Sequence, residues 1–220
     1  MGSLRGFYGS MVGKKVVMGV TGLIGVGFVI LHSLGNLLVF RGPAAINSYS
    51  HFLKSTGELL WALRIVLIVA VILHVIAAVQ LTQQSRAARP IAYTKQERQV
   101  ATVASRTMRW GGALLLVFIV LHILHFTTGT IKPAGVFSPD DVYANMVTSF
   151  RIWWVALFYV VAMLALGLHL FHGAWSSVRS IGVSPPSPQP LHHRISLAIA
   201  LLVWAAFTAV PLAVVAGIVR

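Results

Sequence analysis

The sequence predicts an all-α fold, a polytopic membrane bundle of five transmembrane helices. Two observations carry that prediction. Of 220 residues, 57% are hydrophobic and only 10% are charged, whereas a soluble domain carries about 25% charge. The apolar residues also fall into five runs, each near the 20 or so residues that cross a bilayer core. A third observation points to function: His32, His74, His122 and His169 each sit well inside one of the first four runs. Ionisable groups are costly in lipid and mark functional sites when they occur there.

The predicted spans are residues 16–40, 59–81, 110–128, 152–176 and 195–219, forming one domain over residues 1–220. Span one is rich in glycine (Gly19, Gly22, Gly25, Gly27, Gly35), which permits close approach of another helix or of a flat cofactor. The connection from Arg41 to Glu58 has an amphipathic pattern (Ile46, Tyr49, Phe52, Leu53) and reads as a short interfacial helix. Gly129 to Phe150 carries Pro133, Gly135 and Pro139 before Asp140 and Asp141, and reads as a turn followed by a short helix. Ser180 to Arg194 is proline-rich and reads as extended. His51, His192 and His193 fall in these connections and are expected to face water or headgroups. Trp61, Trp110, Trp153, Trp154 and Trp175 lie at span ends, as an aromatic belt requires.

Charge sets the expected orientation. Eleven basic residues, among them Lys14, Lys15, Arg86, Arg109 and Arg179, lie on the side of the N-terminus, and six, including Arg41 and Lys54, on the other. The positive-inside rule then places the N-terminus in the cytoplasm and the C-terminus outside. The net charge of +13 is accounted for by these loops and by anionic lipid, without nucleic acid. The only acids are Glu58, Glu97, Asp140 and Asp141, none deep in an apolar run. That weighs against a histidine-relay transporter, the competing class, because such pathways use buried carboxylates. With no cysteine, the chain has no disulfide, thiolate-held cluster or thioether-linked haem of its own.

Four imidazoles on four helices supply two axial ligands to each of two haems b. Counting about 1.5 Å per residue puts His32 and His122 in an outer layer, ~25 and ~20 Å from the inner edge, and His74 and His169 in an inner one, at ~18 and ~15 Å. The expected pairs are His32 with His122 and His74 with His169. His125 and His172 follow their neighbours by three residues and share much of the same helix face, so each is an alternative ligand on this reasoning. Arg41 and Lys54 outside, and Arg86, Arg109 and Arg179 inside, are candidate partners for haem propionates. Thr21, Ser33, Asn36 and Tyr159 are polar groups that a quinone site would use.

The chain resembles the single-chain, five-helix, di-haem cytochrome b anchor subunit of succinate:quinone oxidoreductase (complex II), a relative of the fumarate reductase cytochrome b subunit. The resemblance runs through GKKVVMGVTGL (Gly13 to Leu23), LHSLGN and VFRG (Leu31 to Gly42), NSYSHFLKS and ILHVIAAVQL (Ile72 to Leu81). It continues through Arg109, Gly112 and His122, then HLFHGAWSS (His169 to Ser177). It implies His32, His74, His122 and His169 as the iron ligands, in preference to His125 and His172. It implies two partner subunits, a flavoprotein with covalent FAD and an iron–sulfur protein, with menaquinone as electron acceptor. The location implied is the bacterial cytoplasmic membrane, in a complex that is open to dimer or trimer formation. This chain would be the subunit without flavin chemistry in succinate dehydrogenase, or in a quinol:fumarate reductase. Some relatives use a glutamate near the outer haem; Glu58 is the only glutamate on that side, and its spacing departs from that pattern.

Overall fold

The structure, a computed structural model, describes residues 4–88, 103–183 and 190–220. Arg89, Lys95, Glu97 and Arg98 therefore lie outside the described residues. The elements are α1 (Leu4–Gly9), α2 (Met11–Asn36), α3 (Pro43–Ser55), α4 (Glu58–Ala87), α5 (Val103–His122), α6 (Val142–Phe150), α7 (Trp153–Ser180) and α8 (Pro190–Val215). Five helices are long and apolar enough to span a membrane, and no strand occurs among the described residues.

Local chemistry sets the boundaries. Ser10 caps α2 by accepting from the Gly13 amide at 2.9 Å. Asn36 ends the α-helix, and Leu37–Arg41 continue as a tighter 3₁₀ turn. Gly42 (φ 93°) then turns the chain, and Pro43 opens α3 at the first helical position. Gly57 (φ 53°) separates α3 from α4. Asp141 caps α6 through the Ala144 amide at 2.9 Å.

Most spans outrun their apolar cores. The helices extend back to Met11 and Val103 and on to Ala87 and Ser180, because polar flanks such as Gln80, Gln83 and Gln84 are good helix formers that emerge from the apolar layer. The last helix is displaced toward the N-terminus relative to its expected span: it starts at Pro190 and stops at Val215, shortly before Gly217 (φ 72°) turns the chain. His51 lies in the interfacial helix α3 and is exposed, as expected. One expectation for the connections needs correction. His192 and His193 belong to the first turns of α8, which Pro190 opens, so Leu191 to Arg194 are helical rather than extended. Proline at a first turn sacrifices no hydrogen bond.

The bundle has a two-helix spine. α2 packs on α4, α7 and α8, while α7 packs on α5, α2 and α8. Glycine permits the α2–α7 approach: a Cβ at Gly22 would stand 3.3 Å from both His74 Cε1 and Ser177 Oγ. Gly35 is needed for α3, since a Cβ there would meet Tyr49 at 2.7 Å; Gly25 and Gly27 face open space. The main core gathers Val39, Ile46, Phe118, Met146, Phe150, Tyr159 and Met163 at one end, under α3 and α6. A smaller cluster joins Leu170 to Ala200 and Val203. Along α4, Ile65, Val66, Ile68, Val69, Ile72 and Val79 are exposed. A continuous apolar outer face of this kind is solvated by lipid.

At the same end, α3 and α6 are tied by polar contacts. Asn47 donates to Asp141 Oδ1 at 2.9 Å, and the Tyr143 amide donates to Asn47 Oδ1 at 3.1 Å. The Ala144 amide and Asn47 together hold the Asp141 carboxyl below its ordinary value. A depressed folded pKa contributes stability above the unfolded pKa and loses it as pH falls through the folded value. Protection of the α6 amides, taken relative to the intrinsic exchange rate at each pH, should therefore fall as pH drops below about 4, the free carboxyl range. Asp141→Asn should flatten that dependence; an unchanged acid response would contradict the assignment.

Candidate functional site

The bundle brings the four span histidines together as two pairs. The rings of His32 and His122 stand 5.9 Å apart, centre to centre, and nearly perpendicular. Those of His74 and His169 stand 6.2 Å apart. Neither pair lies between helices that pack extensively: α2 with α5 and α4 with α7 are absent from the main helix contacts. The imidazoles reach across gaps that the backbone leaves open.

The His74 ring is fixed by the neighbouring helix. Its Nδ1 lies 3.0 Å from the Met18 carbonyl and 3.2 Å from Thr21 Oγ1. Thr21 in turn donates to the Val17 carbonyl at 2.7 Å, so it accepts from His74. The network thus assigns the proton to Nδ1 and leaves the Nε2 lone pair free to bind a metal. Across the gap, His169 Nδ1 is buried with no hydrogen-bond partner among the described residues, so the protein alone leaves this ring unsatisfied. An apolar recess of about 270 Å³ between α5 and α7, lined by Met108, Leu114, Leu164 and Leu168 among others, ends on His169.

At the other centre, His122 Nδ1 is 3.5 Å from Tyr159 Oη. Tyr159 Oη is also 3.0 Å from His125 Nδ1, and His125 Nε2 is 2.9 Å from Ser149 Oγ. Two proton arrangements satisfy all three links, with the donors reversed between them, and a metal on His122 Nε2 selects the following one. His122 Nδ1–H donates to Tyr159, Tyr159 donates to His125 Nδ1, and His125 Nε2–H donates to Ser149. It leaves His122 Nε2 free and occupies both nitrogens of His125. Phe28 and Phe207 flank His32, and Phe118 and Phe126 flank His122. His32 follows Thr21, which is level with His74, by eleven residues, so the two pairs are about 16 Å apart along α2.

The other predicted residues fall outside these pairs. His172 stacks edge-on to Trp175, and His193 lies 4.5 Å from the same indole. Trp175 is thus a packing residue under α8, while Trp61, Trp110, Trp153 and Trp154 are exposed. Arg179 lies over the Trp175 ring, and Arg41 and Arg109 are exposed. Lys54 pairs with Asp140 at 3.3 Å and also donates to the Pro139 carbonyl. Ser33 and Asn36 bond back into their own helix, to the carbonyls of Ile30 and His32. Two features escaped the sequence reading. Ser149 completes the His125 network from a segment with no special signal, and Lys14, read as a loop cation, is buried at 6% exposure.

Among the described residues no three His, Asp or Glu side chains form a metal-binding group. Each pair brings together two imidazoles from different helices. Metal–imidazole bonds of about 2 Å put two trans rings roughly 6 Å apart, centre to centre, the spacing found in both pairs. A metal held this way needs its remaining ligands from elsewhere, and a planar macrocycle with four donors provides them.

These features define a multi-pass helical membrane protein built around two facing histidine pairs. Its sequence is similar to the succinate dehydrogenase cytochrome b558 subunit of Bacillus subtilis, with 28% identity over 195 residues, 87% of this chain and 89% of the relative. The resemblance to succinate dehydrogenase cytochrome b subunits thus spans nearly the whole chain. No protein-family model matches the chain, and no solved structure gives a significant match.

Replacing His125 by Leu should strand the Tyr159 and Ser149 hydroxyls, at about 1–3 kcal/mol for each unsatisfied group. Thermal unfolding in detergent should show a lower midpoint. A His125→Leu protein as stable as the parent would contradict this network.

Proposed function

We propose that this chain is the membrane anchor and electron-transfer subunit of a succinate:quinone oxidoreductase, carrying two haems b. The observation that carries the proposal is the spacing of the two imidazole pairs across gaps where helices do not otherwise pack. His32 and His122 would hold one haem, and His74 and His169 the other. The fit is supported by the free Nε2 of His74, by the unsatisfied His169 ring, and by Gly22 beside His74, where any side chain would crowd the ring.

Haem b held between the imidazoles of a pair would supply one-electron transfer there. The protein's part is to hold and orient. The Met18 carbonyl and Thr21 fix the His74 tautomer and ring plane, and Tyr159 does the same for His122. Such supporting hydrogen bonds raise ligand basicity and set ring orientation. The phenylalanines around His32 and His122 exclude water, which tunes potential. His125, with both nitrogens engaged, supports this shell rather than binding iron.

In this reading the N-terminal side faces the cytoplasm, where an iron–sulfur subunit docks and a flavoprotein with FAD oxidises succinate. Haems held by His74 with His169 and by His32 with His122 would supply the one-electron chemistry between that partner and a quinone, menaquinone by resemblance, in the bacterial cytoplasmic membrane. This chain performs no chemistry on succinate itself. The name of the relative and the excess of basic residues on the N-terminal side support that arrangement.

A reduced-minus-oxidised spectrum of the purified complex should show low-spin haem b at two per chain, reducible by succinate. Absence of haem would overturn the reading. Haem that succinate does not reduce, in a complex without flavoprotein, would assign the chain to a different oxidoreductase. Tyr159→Phe should keep both haems and shift the potential of one; a titration with both potentials unmoved would remove Tyr159 from the His122 shell.

A further inference from the structure

Lys14 is buried at 6% exposure close to the N-terminus of α2, and its Nζ donates to the Gly9 carbonyl at 3.0 Å. It lines a recess of about 250 Å³ with Tyr8, Gln80, Gln83 and Gln84. Its ammonium also stands 5.8 Å from the Tyr8 ring centre. Both Gln80 Oε1 and Gln84 Oε1 are buried without a hydrogen-bond partner. Among the described residues no carboxylate is near. Glu58 opens the helix of which Gln84 is near the end, about 39 Å away along the axis, and Asp140 and Asp141 lie beyond α3.

A buried cation without a counter-charge is expensive. A cation in the first turn of a helix is doubly so, because the helix dipole there is already positive. The polar recess beside it is therefore built for an anion. The unpartnered amide groups add hydrogen-bonding capacity once their side chains are turned to suit the ligand. α1 helps to shape the recess: a Cβ at Gly13 would collide with the Phe7 carbonyl at 2.0 Å, so glycine there lets α1 fold back and bring Gly9 to Lys14.

The position of the recess selects the anion. Lys14 precedes Met18, whose carbonyl holds the His74 ring, by one helical turn, about 6 Å. Gln80 follows His74 by six residues, about 9 Å along α4. The recess thus adjoins the His74/His169 pair on the side of the N-terminus. We infer that Tyr8, Lys14, Gln80 and Gln84 form a carboxylate site that anchors an acidic side group of the cofactor held by His74 and His169. This inference rests on the function proposed above. It moves the principal anchor away from Arg109 and Arg179, which are exposed at the surface, to the cation that the fold has buried.

The test is a redox titration, followed by haem absorbance, of the assembled complex carrying Lys14→Met. Both haems should be retained. One midpoint potential should fall, because loss of a nearby cation favours the oxidised iron, and the other should not move. Lys14→Arg should keep the parental value. Where Lys14→Met fails to accumulate, Gln84→Glu gives the same readout, since its carboxylate competes for Lys14. Unmoved potentials in a haem-loaded protein would overturn the inference. So would loss of bound phospholipid phosphate from the Lys14→Met protein without a shift, which would assign the recess to a lipid headgroup. Absence of haem from the parent protein would overturn the proposed function, and this assignment with it.

Discussion

An imidazole in lipid has two nitrogens to satisfy, and no water is at hand to satisfy them. The arrangement of this bundle follows from how that demand is met. At His74 the Met18 carbonyl and Thr21 take one nitrogen, and at His122 Tyr159 takes one, leaving the second nitrogen of each ring for a ligand. At His125 both nitrogens are taken by protein. The same side-chain type thus plays two parts within a single helical turn, and hydrogen-bond accounting separates them. Leaving a buried polar group unmet costs about 1–3 kcal/mol, so a ring with an unpartnered nitrogen, such as His169, has a function to explain it.

The helix packing serves this arrangement. α2 and α7 make the close, glycine-assisted contacts, and α4 and α5 flank them without closing on their histidine partners. Direct packing of those gaps would bury more apolar surface, yet the gaps persist with imidazoles reaching into them. The two histidine pairs stand about 16 Å apart along α2. Below the inner pair, Lys14 is buried with its Nζ donating to the Gly9 carbonyl.

Much of the fold was legible from the sequence, because apolar length is what a bilayer selects. All five spans, the interfacial helix at Pro43–Ser55 and the turn-then-helix before Phe150 follow from hydropathy and turn residues. Span ends were less legible: glutamine-rich flanks continue a helix after the apolar pattern has stopped, and Gly217 ends one before it. The placement of His192 and His193 was less legible because proline at a helix start resembles proline in a loop. The depth count put the histidines in two layers, and the structure brings His32 to His122 and His74 to His169. The separation of the layers was underestimated, since counting from loop cations ignores helix extensions. Lys14 was hidden by a general rule: basic residues beside a span are usually cytoplasmic markers, and nothing local distinguishes Lys14 from Lys15. Its burial arises from α1 folding back and from two glutamines nearly seventy residues away. Ser149 was hidden likewise, being a partner supplied only by tertiary contact.

The central claim is that the four histidines act as two specific pairs, and haem counting in single and double alanine variants tests it most directly. His32→Ala and His122→Ala should each lose the same haem, as identified by its potential, and the double variant should lose no more. His74→Ala and His169→Ala should each lose the other haem. Loss of different haems from the two members of one pair, or retention of both haems in any of the four single variants, would contradict the account.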